Sequence, residues 1–276
     1  MRITILVDNS PSAKNHELGT EHGLSLYIEY GNRRILCDTG TSSLFAKNAY
    51  LMGIDIGSCS FAFISHGHND HIGGLEYFIE KVNDKKIYMH SSILHDAYFS
   101  TRHGERRNLN IDSKFLSDSK ERIHPIDTTT EIAEGIFAVQ CKTSIYPTPY
   151  GNCFLWKKSG KKEEKDTFRH EISLAFITDK GLVIVSPCSH CGALNIIREC
   201  QNATRCSKVY TYIGGLHFVE SENCISEATT FAKTAKKEFP NTLFLTGHCT
   251  CNTAKEILEQ IADNIKTFST GSIIEL

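Results

Sequence analysis

Phe61-Ala62-Phe63-Ile64-Ser65 is an apolar run that breaks directly into His66-Gly67-His68-Asn69-Asp70-His71, three imidazoles and a carboxylate within six residues. No other stretch narrows the choice of fold so far. Along a strand, side chains repeat with period two, so His66 and His68 are expected on one face. A turn into a following helix would swing Asp70 and His71 back to the same point. Gly73-Gly74 suits a helix start packed tightly behind that turn, and Leu75, Phe78, Ile79 and Val82 continue as one apolar helical face. Neutral imidazole nitrogen and carboxylate oxygen are the donors that suit Zn, Fe or Mn. A solvated histidine-rich loop is the alternative, and it gives the two glycines nothing to do.

The rest of the chain supplies a scaffold for such a site. Residues 1–7 read as a first strand; 24–29 and 34–37 flank a Gly31-Asn32 turn as a hairpin; 43–51 have helical spacing. Residues 84–130 alternate poorly and are expected as a loop-rich insertion. The charged block 157–166 reads as a solvated hairpin tip between strand-like 153–156 and 171–178. Strands at 182–186, 209–213 and 242–246 then alternate with helices at 194–200, 226–238 and 253–265, a pattern that predicts layered α/β architecture.

Each later strand ends in a histidine or close to one. His190 follows 182–186 and His248 follows 243–246, so both are predicted to complete the metal site; His217, after 209–213 and Gly214-Gly215, is expected as a ligand or a substrate-facing acid or base. Arg102, Arg106 and Arg107 are expected as solvated loop arginines rather than a phosphate clamp. The 11 cysteines, in a chain too long to need staples, predict reduced thiols in a cytoplasm.

The sequence His66-Gly67-His68-Asn69-Asp70-His71 matches without a gap the HxHxDH motif of the metallo-β-lactamase superfamily, which the chain resembles. Asp38-Thr39-Gly40 looks like that family's strand-ending Asp-Thr-Gly, and Thr246-Gly247-His248 is similar to its closing Gly-His. Within the superfamily the chain looks most like the metal-dependent hydrolases grouped with 7,8-dihydropterin-6-yl-methyl-4-(β-D-ribofuranosyl)aminobenzene 5′-phosphate synthase. The carrying pieces are Val7-Asp8-Asn9, Glu21-His22-Gly23-Leu24-Ser25, Ser65-His66-Gly67-His68, Cys188-Ser189-His190, Gly214-Gly215-Leu216-His217 and Gly247-His248-Cys249-Thr250. They span nearly the whole chain, so one four-layered αβ/βα sandwich domain over 1–276 is implied.

The resemblance implies two divalent metal ions, zinc first, with iron or manganese also suitable. By motif match His66, His68 and His190 would hold one ion and Asp70, His71 and His248 the other, with Asp70 orienting the attacking water. His22 and His217 would face substrate, while Cys188 and Asp38 are further candidates near the metals. The implied activity is hydrolysis of an ester, phosphoester or related small molecule, pterin- or ribosyl-phosphate-like substrates included. A redox or iron–sulfur protein on the same fold is the alternative, because Cys188-Ser189-His190-Cys191 and Cys249-Thr250-Cys251 would let four thiols meet. A net charge of −2 gives no field for nucleic acid, and no apolar window is long enough for a membrane span. The expected partner is a small-molecule substrate, and a homodimer is left open.

Overall fold

The computed structural model describes residues 1–112 and 114–276. It divides the chain into two compact units, residues 1–126 with 154–166 and 269–276, and residues 127–153 with 167–268. Both are mixed α/β, the class expected.

The first unit is built on a seven-stranded sheet in the order Ile273–Glu275, Arg2–Val7, Ser25–Tyr30, Arg33–Cys37, Phe61–Phe63, Lys86–Met89, Ile123–Pro125. The first four strands pair antiparallel, and from Arg33–Cys37 onward the pairing is parallel. The switch follows from the connections: the tight turn at Gly31, at φ 58°, joins a hairpin, whereas the helices Leu44–Leu51 and Leu75–Lys81 are crossovers. Leu6, Phe45, Ala62, Ile64, Phe78 and Ile87 belong to one buried apolar cluster beneath these elements.

The expected strand over 61–65 closes early, at Phe63. Ile64 N still donates to Tyr88 O at 2.8 Å, but Ser65 N donates to Asp38 Oδ1 at 2.7 Å. The ladder therefore ends where a side chain outcompetes the next strand, and the histidines sit on a loop and a four-residue helix, Asn69–Ile72, rather than on a strand face.

The stretch 84–130, expected as loops, holds Lys86–Met89 and Ile123–Pro125 of this sheet and Asp96–Ser100 and Arg107–Asn108 of a four-stranded sheet. Each strand is too short, and too interrupted by charge, for its alternation to register. The charged block does form a hairpin about Gly160, yet its residues are themselves strands, Leu155–Ser159 and Lys162–Lys165, and its last residue, Asp166, is buried. Arg106 is occupied structurally, 3.0 Å from Glu163 and 3.5 Å above the Phe99 ring.

The second unit carries a seven-stranded sheet in the order Ile265–Thr267, Leu243–Thr246, Val209–Ile213, Gly181–Val185, Ile172–Thr178, Ile136–Gln140, Thr130–Ala133. The first four strands run parallel, so Gly181–Val185, Val209–Ile213 and Leu243–Thr246 deliver their carboxyl ends to one edge. Gly-Leu-Val-Ile-Val is buried at every position, as a central parallel strand requires. Helices Ala193–Thr204, Cys224–Glu238 and Asn252–Ile261 complete the unit, and Ile184, Ile196, Phe231, Phe244 and Leu258 share its core. The last helix, expected to reach 265, ends at Ile261; Ile265 instead opens an edge strand. Among the described residues no helix is long and apolar enough to cross a membrane.

Candidate metal centre

In the first unit, His66, His68 and His71 are all buried, their rings drawn together: His66 lies 4.6 Å from His68 and 4.2 Å from His71 between centroids. The ring protons of His66 and His71 are assigned by Asp38, fully buried at the end of its strand with φ 57°. Asp38 Oδ2 accepts from Ser65 Oγ at 2.7 Å and from His71 Nδ1 at 2.7 Å. A hydroxyl has one proton, so Ser65 Oγ, having given it to Asp38, accepts from His66 Nδ1 at 2.9 Å. His66 and His71 are thus Nδ1–H tautomers, with Nε2 as the donor atom for an ion.

Asp70 sits in the first turn of the Asn69–Ile72 helix with Oδ2 3.7 Å from His71 Nε2. The same oxygen is 3.2 Å from His22 Nε2. Asn9 Nδ2 reaches His22 Nδ1 at 3.0 Å, and an amide nitrogen donates, so His22 carries its proton on Nε2 and gives it to Asp70. His22 therefore braces the carboxylate. Gly23 permits the approach, for a Cβ there would stand 2.6 Å from Asp70 O. Asp166, which sequence reading assigned to a solvated tip, offers an oxygen within 4.8 Å of a His68 ring nitrogen. Its only sequence signal is its place at the end of the charged block, where the chain turns inward.

In the second unit the candidates lie beyond the three parallel strand ends. His190 Nδ1 donates to Asn152 Oδ1 at 3.0 Å, while Asn152 Nδ2 donates to His190 O at 2.8 Å, so this ring too presents Nε2. Phe168 stacks on it at 4.2 Å. Glu171 holds the loop by accepting from His190 N at 2.7 Å and Cys191 N at 2.8 Å. Burial raises the Glu171 carboxyl pKa, although those backbone donors pull it down. Neither Asn152 nor Glu171 stood out in the sequence, since isolated polar residues carry no spacing.

His217 packs 4.1 Å from His190 between ring centroids, and its Nδ1 is 3.5 Å from Cys188 Sγ. Ser189, His217 and His248 have φ of 62°, 51° and 48°, left-handed conformations that non-glycine residues rarely adopt and that gather at functional sites. Cys188, His190 and His217 have donor atoms mutually within 4.8 Å, as do Cys188, His248 and Cys249. The four-thiol convergence of the redox alternative is not formed. Cys251 Sγ pairs with Cys224 at 3.0 Å and Cys191 Sγ faces Phe168 O at 3.8 Å, while only Cys188 and Cys249 approach each other, at 3.3 Å.

The donors present, oriented imidazoles and a carboxylate in the first unit and imidazoles and thiols in the second, are of the kinds that hold divalent ions. Beside the second set, Pro149, Leu194, Phe218 and Phe231 line an apolar recess of about 260 Å³, with Glu227 on its wall.

The metallo-beta-lactamase superfamily profile matches residues 18–151. The chain is 29% identical to a 7,8-dihydropterin-6-methyl-4-(beta-D-ribofuranosyl)-aminobenzene-5'-phosphate synthase of Methanocaldococcus jannaschii, with 95% of this chain and 92% of that one covered. It superposes on the crystal structure of a metal-dependent hydrolase of the beta-lactamase superfamily with a TM-score of 0.80 and 27% identity, covering 100% of this chain and 99% of that one. Zn(2+)-bound PqqB from Methylobacterium extorquens shares the fold, with a TM-score of 0.53 at 12% identity over 100% of both chains.

Proposed function

We propose that this chain, which matches the metallo-β-lactamase superfamily profile over residues 18–151 and shares the fold of a metal-dependent hydrolase of that superfamily, is a metal-dependent hydrolase of small-molecule phosphoesters or related esters. The observation that carries this reading is the proton assignment around Asp38, which fixes His66 and His71 as Nε2 donors beside Asp70. His66, His68, Asp70 and His71 are the metal-holding residues of the first unit, and His190 and His248 those of the second. The chemistry a divalent ion would supply there is a lowered water pKa and a polarised ester oxygen. Asp70, braced by His22, orients the attacking water and takes up its proton, while Asp38 keeps His71 in the metal-binding tautomer.

A substrate with a heteroaromatic ring and a phosphate accords with the name of the synthase relative and with the apolar recess near Leu194 and Phe218. The net charge of −2 favours a small substrate over a polyanion. All 11 cysteines are free, consistent with a cytoplasmic setting.

The test is metal analysis of the purified protein followed by a panel of phosphodiesters, thioesters and lactones. Asp70→Asn should cost at least about 10²-fold in turnover, the scale of a lost acid–base group, with the melting temperature little changed. Full turnover in that variant with its metal retained would remove Asp70 from the mechanism.

A further inference from the structure

Two sulfur atoms stand among the donors of the second unit, and neither is placed there by core packing alone. Cys188 follows the strand Gly181–Val185 and Cys249 follows Leu243–Thr246, neighbours once removed in the same sheet, so their side chains meet across the end of Val209–Ile213. Their Sγ atoms are 3.3 Å apart, with His217 Nδ1 3.5 Å from Cys188 Sγ. Cys188, Cys249 and His248 hold their donor atoms mutually within 4.8 Å. Tetrahedral bonds of about 2.3 Å to sulfur and about 2.0 Å to nitrogen set neighbouring donors roughly 3.5–3.8 Å apart, so little movement separates this arrangement from a coordination shell.

The backbone around the sulfurs is shaped for them. A Cβ on Gly215 would lie 2.3 Å from Cys249 Sγ, so glycine there leaves the space the sulfur fills. Cys249 Sγ also receives the His217 backbone N–H at 3.2 Å and lies 3.5 Å from Cys188 O, which fixes the sulfur in place beside Cys188. Thr250 holds the loop closed, accepting from Leu216 N at 3.0 Å and meeting Thr246 Oγ1 at 2.7 Å. The carboxyl ends of parallel strands are where open α/β sheets bind ligands.

We infer that Cys188 and Cys249 bind a soft divalent ion as thiolates, together with His248, so that the metal set of the second unit is sulfur-containing rather than purely imidazole and carboxylate. Binding releases one proton from each thiol and changes no oxidation state. Sulfur donors select zinc or ferrous iron over manganese or magnesium. The inference rests on the metal-binding part of the proposed function and is independent of hydrolysis.

The experiment uses the full chain, reduced and handled anaerobically, loaded with Co²⁺. A strong near-ultraviolet sulfur-to-cobalt charge-transfer band is expected, reduced to about half in Cys188→Ser or Cys249→Ser and lost in the double variant, in line with two equivalent sulfur ligands. Cys200→Ser, in the buried face of the Ala193–Thr204 helix, should leave the band unchanged. Alkylation of the wild-type protein, mapped by peptide mass, avoids dependence on variants. Cobalt should protect Cys188 and Cys249, while exposed Cys153 reacts with or without metal. Cobalt bound with no charge-transfer band, or with both thiols still alkylated, overturns the inference. A band without ester turnover in the same sample would leave it standing and refute the hydrolase instead.

Discussion

Asp38 decides which nitrogen of His71 meets a metal, although the metal motif lies almost thirty residues further along. Asparagine there keeps the volume but not the chemistry. Oδ1 accepts from Ser65 N and Oδ2 from both Ser65 Oγ and His71 Nδ1, so an amide NH₂ in either orientation faces a donor or forces His71 into the Nε2–H tautomer. Asp38→Asn should therefore weaken metal affinity about 10–100-fold, the usual cost of losing a partner behind a ligand, as read by competition with a chromophoric chelator. Unchanged affinity would mean that Asp38 serves the fold alone. At this scale the sequence was legible where residues are consecutive: His66 to His71 announced themselves by crowding. Asp38 was visible only as a candidate, and the contact of His22 with Asp70 had no signal in the spacing. Asn152, Glu171 and Asp166 became functional neighbours only through tertiary contacts that spacing does not encode.

Gly73 and Gly74 have ordinary backbone angles, and their importance is one of proximity. A Cβ at Gly74 would stand 2.3 Å from Ser42 O and 2.6 Å from Thr39 O, and one at Gly73 would be 2.2 Å from Thr41 O. The helix Leu75–Lys81 thus runs against the backbone of the loop that follows Asp38. Gly74→Ala must push these elements apart, an overpacking cost of about 1–3 kcal/mol that a shift in the denaturant midpoint would report. A midpoint equal to wild type would show that the loop yields freely. The glycine pair was read correctly as a tight helix start, and periodicity also found the Val209–Ile213 strand and the helices about it. It failed where charge hides a strand. Lys162–Lys165 exposes nearly every residue, and Lys86–Met89 is too brief for alternation to emerge from noise.

For the molecule as a whole, a resident ion binds the native chain and not the unfolded one, so it stabilises by mass action. Zinc at 100 times its dissociation constant should add about 2.7 kcal/mol, or on the order of 5–10 °C in melting temperature, reversed by a chelator. Superimposable melting curves with and without zinc would contradict metal binding by the folded protein. The sequence shows no linker, because neither compact unit is one stretch of chain: the first is assembled from three segments and the second from two. Pairings such as Arg2 with Glu275 join residues almost the length of the chain apart, and no local pattern foretells them. That pairing sets a schedule for synthesis. Arg2–Val7 leaves the ribosome well before its outer neighbour Ile273–Glu275, which lies some 270 residues later in the chain. At about 5–20 residues per second, one flank of a strongly apolar strand waits on the order of 15–50 s for its partner. During translation the nascent chain exposes an open sheet edge, and this is where a cellular holdase has most to protect.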